Sequence, residues 1–258
     1  MNIGVFDSGL GGLTILKALL KELPQYNYIY LGDNARVPYG NRSPAIIYQF
    51  TKEAVEFLFK KNCQLIIIAC NTSTSTSLRK IQQEYLPKFY PDRKVLGVIK
   101  PVTEIIGDSK LERIGVIGTK TTINSRAFVR EIKKVLPKAQ VFQQACPLLV
   151  PYIEDSGQNK KILQLILEEY FKGLKKKNIN VLILACTHYE IIKKEIQAMV
   201  GSKVKVISEG KIVAEKLKDY LKRHPEVEKK LEKKKQISYF FTDLNQDYKK
   251  LMRLFLND

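Results

Sequence analysis

Two stretches of this sequence copy one another. Lys60 to Thr72 reads KKNCQLIIIACNT and Lys176 to His188 reads KKNINVLILACTH, and the two align without a gap. Each has Lys-Lys-Asn, two linking residues, four aliphatic residues, an alanine and a cysteine. Continuous aliphatic runs set between helical stretches are the pattern of parallel strands buried on both faces. Such strands need helices on both sides, which places the chain in the α/β class. A second pair of matches, IGVFDS (Ile3 to Ser8) and IGVIGT (Ile114 to Thr119), lies at an offset of 111 residues, against 116 for the cysteine copies. Two matches at nearly one offset predict two similar α/β halves.

The apolar pattern predicts strands near 2–6, 27–31, 65–69, 95–98, 113–117, 139–142, 180–185, 204–207 and 237–241. It predicts helices near 11–22, 44–60, 74–86, 121–135, 158–176, 189–199, 209–222 and 244–256, with Ser43-Pro44 as an N-cap followed by proline at the first helical position. The expected architecture is two pseudo-symmetric three-layer α/β domains with mainly parallel sheets. Residues 1–98 plus 208–258 form the first and 99–207 the second, with crossings near Pro101 and Ser208. Ligands of open α/β sheets bind at the carboxyl ends of the strands. Two halves facing each other bring Cys70 and Cys186 to opposite walls of one cleft.

A length of 258 residues suffices for two domains. No apolar run approaches a membrane span of about 20 residues. The sequence opens on the strand-like NIGVF without a signal-type segment, so a cytoplasmic location is expected. The net charge of +18 raises nucleic acid or an acidic substrate as partners. The lysines, however, sit in helical stretches interleaved with glutamate, and no Arg-rich arm, zinc-finger spacing or aromatic-basic strand motif is present. Nucleic-acid binding is therefore not expected as the main role.

Of the four cysteines, Cys63 and Cys146 have bland contexts and read as packing residues. None forms C-x-x-C, and the only histidines are His188 and His224, so no metal site is expected. Cys70 and Cys186 each end a strand just before a helix. A helix N-terminus favours a thiolate and offers N–H groups to a carboxylate ligand. For one copy, a packing cysteine beside a helix cap would be the simpler reading. Two aligned copies favour a site. Two thiols on opposite walls suit proton removal from one face of a carbon and proton return on the other, which is racemisation.

At this level of detail the chain resembles the glutamate racemases of the cofactor-independent two-cysteine amino-acid racemase family. The matching segments are DSGLGGLT (7–14), GDNARVPYG (32–40), ACNTSTS (69–75), GVIKP (97–101), VIGTKTT (116–122), LVPYIE (149–154) and ACTHY (185–189), in family order. The C-terminal FFTDLNQDYKKLMRLFL is similar as well. The resemblance implies Cys70 and Cys186 as the two acid/base residues. It implies Asp7 and His188 as aids to proton transfer on the two sides, with Glu154 beside His188. Ser8, Pro38, Tyr39, Gly40, Asn71, Thr72, Thr119 and Thr187, with Asp7 and His188, would bind the substrate. It further implies no cofactor, a homodimer, and supply of D-glutamate for peptidoglycan.

Three positions depart from the family pattern. Lys100 precedes Pro101 where Glu is common, Ser73 follows CNT where Ala is common, and Ser208-Glu209-Gly210 replaces DSG. The alternatives are an aspartate or related amino-acid racemase, or, in a different class, a non-catalytic basic protein that binds anions or nucleic acid.

Overall fold

Both sheets are built outward from the strands that carry the internal copies. In the computed structural model, residues 1–107, 113–155, 159–243, 252–253 and 255–256 are described. The first sheet holds β1 (Asn2–Asp7), β2 (Tyr28–Gly32), β3 (Cys63–Ile68), β4 (Lys94–Gly97) and a late strand (Ile237–Phe241). The second holds β5 (Arg113–Gly118), β6 (Gln140–Ala145), β7 (Val181–Ala185) and β8 (Lys205–Ile207), and the late strand is therefore β9. The orders are β4-β3-β1-β2-β9 and β6-β5-β7-β8. Every pairing in both sheets is parallel. The strand pattern read from the sequence is met in all nine places, and β9 returns to the first sheet beside β2.

The order of strands explains why the copies matter. In the first sheet the chain runs one way from β1 to β2 and the other way to β3; in the second it runs from β5 to β6 and from β5 to β7. The β1/β3 and β5/β7 boundaries are thus the topological switch points, where a crevice opens at the carboxyl ends of the strands. IGVFDS and IGVIGT supply β1 and β5, and the cysteine copies supply β3 and β7. Asp7 and Ser8 therefore end beside Cys70, and Thr119 ends beside Cys186.

The helices are α1 (Leu13–Glu22), α2 (Pro44–Lys60), α3 (Asn71–Lys80), α4 (Leu86–Phe89), α5 (Ile99–Gly107), α6 (Lys120–Asn124), α7 (Ala127–Val135), α8 (Leu149–Glu154), α9 (Lys160–Lys175), α10 (Lys193–Val200), α11 (Gly210–Arg223) and α12 (Pro225–Glu228). Ser43 caps α2 as expected, accepting a hydrogen bond from the Ile46 amide at 3.4 Å with Pro44 at the first position. The repeated Lys-Lys-Asn is also local architecture. Asn62 and Asn178 follow α2 and α9 with φ of 62° and 48°, the left-handed conformation in which Asn commonly ends a helix.

Alternate residues of each strand face different cores. Ile3, Val5, Leu65 and Ile67 share one continuous core with Leu182 and Leu184 of the second sheet and with α1, α9 and α11. Phe6, Ile66 and Ile68 pack under α2, while Val116, Val181 and Ile183 pack under α5 and α7. Each fully buried Leu, Ile or Val contributes about 2 kcal/mol relative to exposure. The shared core ties the two sheets together and sets the width of the cleft between them.

Four helix expectations need correction. The helix expected at 74–86 starts three residues earlier, at Asn71, and passes through a π-helical turn (Ile81–Tyr85) into α4. The stretch 121–135 is two helices, broken at Arg126, whose φ is 54°. The segment after Cys186 begins as a 3₁₀ turn (Thr187–Glu190), and α10 starts only at Lys193. Helices α5 and α8 arise where none was expected; Pro101 and Pro151 fall at their third positions, where a missing N–H leaves no intrahelical bond unmade. The expected helix at 244–256 lies outside the described residues apart from four positions.

Candidate active site

Both cysteines lie at one small pocket. Its lining includes Ser8, Pro38, Tyr39, Gly40, Cys70, Asn71, Thr72, Thr119, Cys186, Thr187 and His188, joined by Val37 and Val150. Each substrate-contact residue expected from sequence lines it except Asp7, which is fully buried just behind Ser8. A larger groove of about 760 Å³ lies elsewhere, among Arg79, Arg130 and Tyr220, and contains neither cysteine. Size alone therefore does not mark the chemistry here.

Cys70 is the N-cap of α3, and its carbonyl accepts the first helical bond, from Thr74 N, at 2.9 Å. Its Sγ lies 3.3 Å from Ser8 Oγ. Burial and the Asp7 charge push this thiol up to about 11, against the pull of the Ser8 hydroxyl and of the Ser73 N–H and hydroxyl. The helix end favours the Cys70 thiolate through the Ser73 N–H, as expected, but desolvation in the closed pocket outweighs it.

Cys186 enters the 3₁₀ turn, and its Sγ lies 3.9 Å from His188 Nδ1. His188 Nε2 lies 2.9 Å from Glu154 Oε1, delivered by the last residue of α8. Burial works against charge on His188, but hydrogen bonds to Cys186 and Glu154, with their negative charges, hold its pKa well above the ordinary value. The ring is thus fixed between the Cys186 sulfur and the Glu154 carboxylate.

Asp7 lies between the two walls. Its Oδ2 accepts from Gly9 N at 3.0 Å and its Oδ1 accepts from Thr187 Oγ1 at 3.4 Å. Burial raises its pKa, opposed by the His188 charge and by the Gly9 and Gly12 N–H groups. Across the cleft, Thr72 Oγ1 meets Thr119 Oγ1 at 2.9 Å and Thr122 Oγ1 at 3.2 Å. The Tyr39 hydroxyl donates to Asp33, which holds the ring in the wall. Gly40 is required by space, since a Cβ there would come within 2.6 Å of Thr119.

Cys63 and Cys146 are fully buried, and burial raises both thiols, as packing residues require. His224 is a surface residue that pairs with Glu226 at 3.1 Å. Among the described residues no three His, Cys, Asp or Glu side chains are grouped to hold a metal ion, and no helix is long and apolar enough to cross a membrane.

Several contacts were not anticipated. Thr122 completes the hydroxyl cluster, and VIGTKTT carried it in plain sight. Phe255 sets its ring edge-on to His188 at 5.3 Å, a long-range contact with no sequence signal. Glu209 makes no ion pair among the described residues yet holds Asn71, whose Nδ2 donates to Glu209 Oε2 at 2.7 Å. Its only signal was its departure from the DSG pattern.

The sequence profile of the Asp/Glu/Hydantoin racemase family matches residues 6–217. A glutamate racemase of Aquifex aeolicus (strain VF5) is 40% identical, with 100% of this chain and 95% of that protein covered. The crystal structure of a glutamate racemase from Francisella tularensis subsp. tularensis SCHU S4 in complex with D-glutamate superposes with a TM-score of 0.89 at 36% identity, covering 100% of this chain and 94% of that one. The glutamate racemase isoform RacE1 of Bacillus anthracis gives a TM-score of 0.90 at 30% identity, with 100% and 94% covered. With its two parallel sheets and the two cysteines at their switch points, this chain belongs to the Asp/Glu/Hydantoin racemase family.

Proposed function

We propose that the protein is a glutamate racemase that works by two-base proton transfer between Cys70 and Cys186. The observation that carries this reading is the placement of one cysteine at each switch point, both facing a pocket lined with hydroxyl and amide groups. In the L-to-D direction, Cys186 as thiolate, paired with the His188 imidazolium, takes the α-proton. Cys70, whose raised pKa keeps it a thiol near neutrality, returns a proton to the opposite face. One C–H bond breaks and one forms, and the thiols exchange protonation states. In the D-to-L direction the roles reverse. Glu154 holds the imidazolium, and Asp7 assists on the Cys70 side. Ser8, Tyr39 with Pro38 and Gly40, Asn71, Thr72, Thr119 and Thr187 bind the carboxylates and amine.

The cavity between the walls is about 20 Å³, which is room for little more than a water molecule. Glutamate therefore enters only when the walls part. The reading carries with it the domain division at 1–98 plus 208–258 and 99–207, a cytoplasmic location, a homodimer, and supply of D-glutamate to peptidoglycan. It is tested with L-glutamate in heavy water and no added cofactor. Circular dichroism should decay to zero while deuterium appears at the α-carbon. An enzyme that leaves glutamate untouched but turns over aspartate would replace the substrate and keep the mechanism.

A further inference from the structure

Glu209 sits behind the pocket rather than in it. It ends the short link from β8 and stands at the N-cap of α11, where Val213 N donates to its carbonyl at 2.8 Å. It is only 3% exposed and borders a small cavity with Thr14, Cys186 and Thr187. Asn71, 2% exposed, is the residue after Cys70 and lines the pocket. The one side-chain hydrogen bond of the pair is Asn71 Nδ2 to Glu209 Oε2, at 2.7 Å. Asn71 Oδ1 and Glu209 Oε1 are both buried with no hydrogen-bond partner among the described residues.

An ionised Glu209 would be costly here. The charges that act on it are carboxylates, Asp7 from β1 and Glu190 from the 3₁₀ turn. Lys193 donates to Oγ of the neighbouring Ser208 at 2.7 Å and pairs with Glu190 at 3.6 Å. A buried charge with one neutral amide donor is poorly compensated. A proton on the acid removes the charge and supplies the one donor the pair lacks.

We propose that Glu209 is a positioning residue that works as a neutral carboxylic acid, bridging the start of α11 to Asn71 and holding that amide against the pocket. Burial, with Asp7 and Glu190 adding to it, also raises this carboxyl well above its ordinary range. The bridge links the start of α11 to the first turn of α3, so it fixes Asn71 relative to Cys70 from an element 138 residues away in the chain. The consequence for substrate rests on the racemase reading; the protonation state does not.

The test compares Glu209→Gln with Glu209→Ala. Gln is neutral and of the same shape, so E209Q should racemise within about threefold of wild type. E209A should raise KM about tenfold with a smaller change in kcat, because it frees Asn71 without touching either thiol. Melting without substrate gives the independent arm. A group whose folded pKa is raised stabilises fully below its unfolded value and loses that contribution as pH rises toward the folded one. Wild type should therefore lose stability relative to E209Q as pH is raised from about 5 into the alkaline range, by a few degrees in Tm. The difference infrared spectrum of wild type minus E209Q near neutrality should contain the carbonyl stretch of a protonated acid. A flat Tm difference across that range, or a carboxylate band in the spectrum, overturns the proposal, and so does E209Q as impaired in KM as E209A. If E209A does not fold, E209Q and the spectrum still decide. If wild type fails to racemise glutamate, the functional reading falls while the melting and infrared arms still report on Glu209.

Discussion

On one wall of the pocket Cys70 opens a full α-helix and its close partners are hydroxyls, Ser8 at 3.3 Å and Ser73 beside it. On the other, Cys186 opens a single 3₁₀ turn and faces His188, backed by Glu154 at 2.9 Å. The strands that deliver the two thiols are copies, but the residues after them differ: Asn71-Thr72-Ser73 on one side, Thr187-His188-Tyr189 on the other. The first wall buries a thiol next to a carboxylate and keeps it protonated. The second buries a thiol next to a cation. A pseudo-symmetric scaffold thus carries two unlike proton-transfer groups. For enantiomers the equilibrium constant is unity, so overall kcat/KM must be equal in the two directions at every pH, whatever the walls are. The asymmetry is visible only in reactions that use one wall.

The largest effect should come from removing either thiol. Cys70→Ala and Cys186→Ala should each lower racemisation by about 10³-fold or more, roughly 4 kcal/mol in the barrier, in both directions. A glutamate analogue with a β-leaving group separates the walls, since elimination needs one base: Cys70→Ala should still eliminate from the L-form and Cys186→Ala from the D-form. Single mutants that racemise within about tenfold of wild type would end the two-base reading.

A smaller and one-sided effect is expected at His188. His188→Asn should slow elimination from the L-form by about 100-fold, and from the D-form by about tenfold or less. Its raised pKa adds a stability signature. The histidine contributes stability that is complete below about 6.5 and fades as pH rises through its higher folded value. The Tm gap between wild type and His188→Asn should therefore narrow on going from neutral to alkaline pH. A gap that stays flat over that range would mean the imidazole is neutral in the fold.

Asp7 sharpens the comparison, because it touches both walls. Asp7→Asn should cost about tenfold, with the larger share on the Cys70 side. Equal losses from both enantiomers in the elimination assay would make Asp7 a shared group, as its contacts with Thr187 and His188 allow.

The smallest effect is that of salt. Several lysines pair with glutamate along helices, as in Lys60–Glu56, Lys100–Glu104 and Lys211–Glu215, and spread the basic charge over solvated helix faces. Raising sodium chloride tenfold should change KM by about threefold or less through screening of the dianionic substrate. Both enantiomers should shift by the same factor, since a surface field does not distinguish them. Unequal shifts, or tight binding of duplex DNA at physiological salt, would give the charge a specific partner.

Much of the fold was legible because its signal is local. The aliphatic runs of β1, β3, β5 and β7 stand between polar stretches, and their period marks strands buried on both faces. The candidate site was legible as segments: DSGLGG, ACNTSTS and ACTHY each deliver residues that meet in one pocket. Helix starts were less legible. Asn71 and Thr72 look like turn residues, and only the packing of α3 against β3 and β4 draws them into a helix. Arg126 carries no glycine or proline signal for the break between α6 and α7.

The sequence by itself determined the two α/β halves and the copied cysteine strands, because each follows from the order of apolar and polar residues along a short stretch, and the family resemblance of its segments implied the polar residues at their ends. Tertiary structure alone decided how those ends behave chemically. The Cys70 pKa depends on how much water the closed pocket excludes, and there desolvation outweighs the helix terminus. The charge on His188 depends on Glu154 arriving from α8, thirty-four residues away in the chain. The burial of Glu209 against Asn71 depends on α11 returning to pack on α1. Solvent exclusion and long-range pairing are properties of packed surfaces, and no window of sequence contains both partners.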